Sequence, residues 1–153
     1  MDIKSHLDQV VSDTRLTKPQ KISHLLDKGL DYLGLAIAIV SRVDGDTYTV
    51  DYAKSPGDMI AIGATFPVGN TYCCHTLLAN RAVGFHHAKE SAIATHPCYT
   101  HFGLESYLGA PIFDGENTVG TVNFSAAAHR DPFTQQEFEF IEAFAGWLST
   151  PSH

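Results

Sequence analysis

With 153 residues the chain has room for one domain, since two cores of half this length would each be poorly buried. Hydrophobic residues at 44% against 18% charged exclude a disordered chain, and a net charge of −7 without a Lys/Arg cluster excludes nucleic acid or an anionic membrane as the main partner. The odd set Cys73, Cys74 and Cys98, with no basic-plus-apolar leader, predicts a cytoplasmic protein, and no apolar run approaches the ~18 residues needed to span a bilayer.

Residues 2–16 place Ile3, Leu7, Val10 and Val11 on one helical face and Ser5, His6, Asp8 and Gln9 on the other, which predicts a short amphipathic helix. A second helix starts at Thr17. Gln20 completes a capping box, Pro19 suits the first turn, and Ile22, Leu25, Leu26, Leu30 and Leu33 form the buried stripe that Gly34 ends. From residue 35 the apolar period shortens to two. Residues 35–42 and 47–53 are predicted strands joined around Asp44-Gly45, and 105–113 and 118–126 form a second hairpin around Asp114-Gly115. A last helix over 134–148 is marked by a capping box from Thr134 to Glu137 and a hydrophobic staple between Phe133 and Phe138. Between the hairpins lies 54–104, which holds all three cysteines and His75, His86, His87, His96 and His101. A helix over 72–80 and a strand over 82–86 are the regular pieces there, and a connection this long in a small domain is expected to be a binding loop or lid.

The strings FPVGNTYCCHTL (66–77), HPCYTHF (96–102), GLESYLGAPI (103–112), GTVNFSA (120–126) and the closing RDPFTQQEFEFIEAFAGWL resemble the GAF sensor domains of bacterial histidine kinases and diguanylate cyclases. The resemblance spans residues 22–148. It implies an α+β fold: an antiparallel sheet of five or six strands, terminal helices on one face, and a ligand pocket covered by the long insertion on the other. The helix pattern read above divides the single domain into an N-terminal helix (1–16) and a core (17–148). The implied function is a sensory or regulatory domain in bacterial signal transduction that binds a small molecule, the alternatives being a reductase-like GAF enzyme and a metal-binding or protein-interaction module; the sequence names neither the ligand nor a cofactor. In those receptors an output domain follows the last helix, so the chain is either a stand-alone regulator or an input module for a histidine kinase or cyclase partner.

On the strand 118–126, Thr121, Asn123 and Ser125 alternate with Val122 and Phe124. The polar face meets solvent, satisfies a nearby loop with its hydroxyls or lines a ligand pocket, and the resemblance favours the pocket. The candidate ligand-binding residues are Tyr72, Cys73, His75, His96, Cys98, Tyr99, Tyr107 and Asn123. Cys73 and Cys74 fall near the start of the predicted central helix, where unpaired N–H groups lower a thiol pKa, although a free cysteine is also simply a small buried hydrophobe. Cys98 follows His96-Pro97 in the loop expected to close over the pocket. Cys73, His75, His86, His96 and Cys98 offer the mixed N/S donors that zinc accepts, but no Cys-x-x-Cys or His-x-x-x-His pair orders them. His87, His101 and His129 read as exposed or structural.

Two further GAF families bear on the cysteines. The separation of Cys74 from Cys98 is similar to that of the two cysteines in free methionine-R-sulfoxide reductases, where one thiolate attacks the sulfoxide and the other resolves it. Here Asn70-Thr71-Tyr72-Cys73-Cys74-His75 replaces the Gly, Val, Cys, Gly, Ala string of that family. Bilin-binding GAF domains need a Cys-His pair just before the strand at 105–113; Cys74-His75 lies far upstream and Tyr99 follows Cys98, which argues against a photoreceptor. In the last helix Phe138, Ile141, Ala145 and Leu148 form one stripe and Phe140, Phe144 and Trp147 a second, a surface wider than packing on one sheet needs. The surplus either rests on the N-terminal helices or meets a second copy; the resemblance to sensor GAF domains, whose first and last helices commonly pair, implies a homodimer with Phe140, Phe144 and Trp147 near the seam.

Overall fold

The computed structural model describes residues 3–58, 62–67, 81–86 and 104–149. Among the described residues, three α-helices, α1 (Ile3–Ser12), α2 (Lys18–Leu33) and α3 (Gln135–Leu148), pack on a sheet of six strands: β1 (Ile37–Asp44), β2 (Thr47–Lys54), β3 (Thr65–Pro67), β4 (Val83–Phe85), β5 (Ser106–Asp114) and β6 (Asn117–Ala126). The order is β3-β2-β1-β6-β5-β4, and every neighbouring pair is antiparallel. This is the α+β architecture expected. Strand β1 runs two residues later than its predicted 35–42, because Leu35 still closes the C-terminal turn of α2 by donating its N–H to Leu30 O. The three-residue β3 was not foreseen, being too short for a period-two signal. The predicted helix over 72–80 lies outside the described residues.

Local chemistry sets the helix ends. Thr17 and Thr134 are extended N-caps, each accepting from the N3 amide while the N3 side chain, Gln20 or Glu137, accepts from the cap N–H. Gly34 ends α2 at φ +69°, a left-handed conformation that suits glycine, and donates to Leu30 O. The staple is present, with the Phe133 and Phe138 rings 6.3 Å apart, edge to face.

The main core lies between the helices and one sheet face: Leu25, Leu26, Phe140, Ile141 and Phe144 meet Val40, Leu108, Val122 and Phe124. Gly29 permits the closest approach, since a Cβ there would overlap the Phe124 ring and press on Phe140. This packing corrects the expected dimer stripe. Phe140 and Phe144 are 0% exposed and Trp147 rests partly buried against the same core, so the second aromatic stripe faces inward. The cause is the width of the helix layer: Phe140 is covered by Tyr32 of α2, with ring centroids 5.9 Å apart, as well as by Phe124 of the sheet.

Arg130 knots the layers together. Its backbone N–H donates to His86 O, Nη1 to Leu33 O (2.7 Å) at the end of α2, and Nη2 to Glu137 Oε1 (2.7 Å), while the guanidinium lies 4.3 Å from the centroid of the Phe133 ring. No helix among the described residues is long and apolar enough to cross a membrane.

Candidate functional site

The second face of the sheet is also buried. On β6 the alternation places Thr121, Asn123 and Ser125 on the face opposite Val122 and Phe124, and all three are covered, Asn123 being 3% exposed. Burial removes the solvent reading of that polar face and leaves the covering loop and the ligand pocket. The register sets their neighbours. Ser125 stands opposite Ile37 and Tyr107, Asn123 opposite Ile39 and Gly109, and Thr121 opposite Ser41 and Pro111. The polar groups therefore form a strip along β1 and β6, the two central strands.

The strip is hydrogen-bonded within itself. Asn123 Nδ2 donates to Thr121 Oγ1 at 3.2 Å and to Tyr48 Oη at 3.3 Å. Ser41 Oγ and Thr121 Oγ1 lie 2.9 Å apart, and the Thr121 N–H donates to Ser41 Oγ. Tyr48 belongs to β2, so its side chain leans across β1 to reach β6. From the other side, the Tyr107 ring lies over Gly109, the residue paired with Asn123; a Cβ on Gly109 would overlap Tyr107 Oη. Two phenol rings thus approach Asn123 from opposite edges. Each is backed by a phenylalanine: Tyr48 and Phe66 have centroids 6.3 Å apart, Tyr107 and Phe85 6.4 Å. Val50 completes this second buried cluster with Ile39, Val43 and Leu104 packed against it.

Of the candidate residues named from the sequence, the structure brings Tyr107 and Asn123 to this face. Tyr72, Cys73, His75, His96, Cys98 and Tyr99, with Cys74 of the reductase alternative, lie outside the described residues. His86 is exposed at the end of β4, and among the described residues no group of three or more His, Cys, Asp or Glu side chains could hold a metal. His129 is exposed, as expected. Sequence reasoning missed Ser41 and Tyr48. A serine within the apolar run Ile37 to Val43 was a signal for the first; Tyr48 had none, because tyrosine is an ordinary strand residue.

A family model, the GAF domain, matches residues 21–150. A search of curated proteins finds no match. Among solved structures the chain is similar to the phycocyanobilin-bound GAF domain from a cyanobacterial phytochrome, at 17% identity and a TM-score of 0.74, covering 97% of this chain and 92% of that one. It is similar to the GAF domain from Acinetobacter phosphoenolpyruvate-protein phosphotransferase, at 13% identity, a TM-score of 0.75 and the same coverage. The GAF domain of A. aeolicus nlh2, in an inactive state, matches at 13% identity and a TM-score of 0.65, over 95% of this chain and 90% of that one. With an antiparallel six-stranded sheet, helices on one face, a covered polar strip on the other and a family match over most of its length, the chain belongs to the GAF domain family.

Proposed function

We propose that this GAF domain is a sensory or regulatory module that binds a small molecule on the covered face of its sheet. The observation that carries the reading is the buried polar strip, Ser41, Thr121, Asn123 and Ser125, flanked by Tyr48 and Tyr107. A sheet face that served packing alone would be filled more simply with apolar side chains, since each buried polar group costs free energy unless paired. Binding without turnover suffices for such a module, because regulation needs only a different affinity for two states. The solved neighbours include a GAF domain with a bound chromophore and one described in an inactive state, which supports the reading by analogy of fold.

The contacts proposed beyond the described residues are Tyr72, Cys73, His75, His96, Cys98 and Tyr99. The setting proposed is the bacterial cytoplasm, upstream of a histidine kinase or cyclase output. A homodimer through the terminal helices would use the exposed stripe of α3, Gln135, Glu139, Glu142 and Gly146, because Phe140 and Phe144 face the core. A thermal-shift screen of heterocycles, nucleotides, amino acids, inorganic anions and metals, followed by calorimetry, tests the reading; a screen in which nothing raises the melting temperature overturns it. Given a dithiol, the protein is expected not to reduce free methionine sulfoxide. Turnover that disappears in Cys98→Ser would replace the sensor reading with the reductase one.

A further inference from the structure

We infer that the edge strand β4, together with Arg130, is the mechanical link between the covered face of the sheet and the helix layer, so that displacing β4 from the covered face moves the end of α2 and the start of α3. This deepens the sensory reading and rests on it, while its test needs no ligand.

Strand alternation makes β4 two-sided. Phe85 packs into the second buried cluster, its ring centroid 6.4 Å from that of Tyr107. Its neighbour Gly84 stands opposite Leu108 of the main core, on the helix side. A Cβ on Gly84 would lie 2.9 Å from Phe133 Cδ2 and 3.0 Å from Phe138 Cζ, well inside the roughly 3.5–4.0 Å at which carbons pack. The hydrophobic staple of α3 is thus seated directly on the β4 backbone. Close-packed groups leave no slack, so a shift of the strand reaches the staple.

Arg130 carries the same shift to α2. Its backbone N–H donates to His86 O at 3.0 Å, just beyond β4. Its side chain holds Leu33 O at the end of α2 and Glu137 in the first turn of α3, both at 2.7 Å, and its guanidinium rests on the Phe133 ring. Short charge-assisted bonds of this kind pass a movement on, where a solvated side chain would absorb it. The strand is also the kind that yields most readily. Its three residues are all half-buried, and among the described residues it pairs with β5 alone, whereas the central β1 and β6 have eight and ten residues and partners on both sides. Local opening costs least where few groups are buried and the ladder is short.

The test is amide hydrogen exchange, read by NMR on the full chain, in wild type, Phe85→Ala, Val50→Ala, Arg130→Gln and the double variant Phe85→Ala/Arg130→Gln. Val50 is buried in the same cluster but belongs to β2, so it controls for loss of packing alone. Phe85→Ala is expected to speed exchange at Glu137 and Phe138, and at Gly34 and Leu35, about tenfold beyond its effect on β1. Val50→Ala should speed those amides no more than it speeds β1. Glutamine at 130 keeps the backbone bond to His86 but not the guanidinium, so in that background the α2 response to Phe85→Ala should vanish while the α3 response through the staple persists. If Phe85→Ala does not fold, Phe85→Leu replaces it, with the same pattern expected at smaller amplitude. Equal acceleration of all amides, the same pattern from Val50→Ala, or an α2 response that survives Arg130→Gln overturns the inference and leaves the small-molecule reading standing. A ligand screen that finds nothing removes that reading without altering any of these rates.

Discussion

Asn123 Nδ2 lies 3.3 Å from Tyr48 Oη, so an amide on one central strand is tied to a phenol two strands away across the buried face. Replacing Asn123 by Leu removes this bond and the one to Thr121, and leaves two hydroxyl groups in a covered site. The expected loss is about 1–3 kcal/mol of stability, read by denaturant unfolding. Tyr48→Phe should cost less, because it keeps the ring and its contact with Phe66.

Arg130 should matter more than a surface arginine. It satisfies a carbonyl in the last turn of α2, where no intrahelical donor is available, and pairs with a Glu137 side chain that is only 8% exposed. Arg130→Ala is expected to lower stability by roughly 2 kcal/mol, a value moderated by the partial exposure of the guanidinium. Arg130→Lys should restore less than half of that, since an ammonium cannot reach both acceptors with a planar fork. Full rescue by lysine would show that charge alone is at work.

Helix α3 separates core from seam. Phe144→Glu places a carboxylate where nothing reaches solvent, and is expected to cost more than about 3 kcal/mol and to unfold the domain before it reports on assembly. Gly146 is exposed, and a Cβ added there would meet no atom within 4 Å, so Gly146→Arg should leave the melting temperature unchanged or higher. Light scattering on wild type and Gly146→Arg then tests the proposed homodimer: a dimer that becomes a monomer supports it, and a monomeric wild type rejects it.

Docking of α1 should depend on pH through His6. Its ring stacks on His24 of α2 with centroids 5.5 Å apart, and its Nε2 is buried without a hydrogen-bond partner among the described residues. Burial holds its pKa below 6.5, and the neighbouring charges of His24 and Lys28 push the same way. α1 packs on α2 and α3, and the charged groups acting on His6 are those two residues of α2. With the folded pKa depressed, the unfolded chain takes the proton first as pH falls below 6.5. Stability contributed by neutral His6 is thus present above 6.5 and lost below it. His6→Gln should flatten that part of the difference between unfolding curves at about pH 7.5 and about pH 5.5. An unchanged pH dependence in the variant would show that other groups set it.

The amino-acid sequence by itself determined the helix ends and both hairpins, because their signals are local: Thr17 with Gln20, Thr134 with Glu137, Gly34, and the Asp-Gly turns act over a few residues. It also placed Thr121, Asn123 and Ser125 on one polar face by strand alternation. What the tertiary structure alone decided involves residues far apart in the chain. Whether that polar face was wet or covered depended on what packs over it, and Tyr48 reaches Asn123 from 75 residues away. Arg130 meets Leu33 across 97 residues, a pairing that no periodicity encodes. The second stripe of α3 turned inward for a like reason: helical spacing tells which residues share a face, whereas the number of neighbours that cover this face is set by the approach of α2 through Gly29.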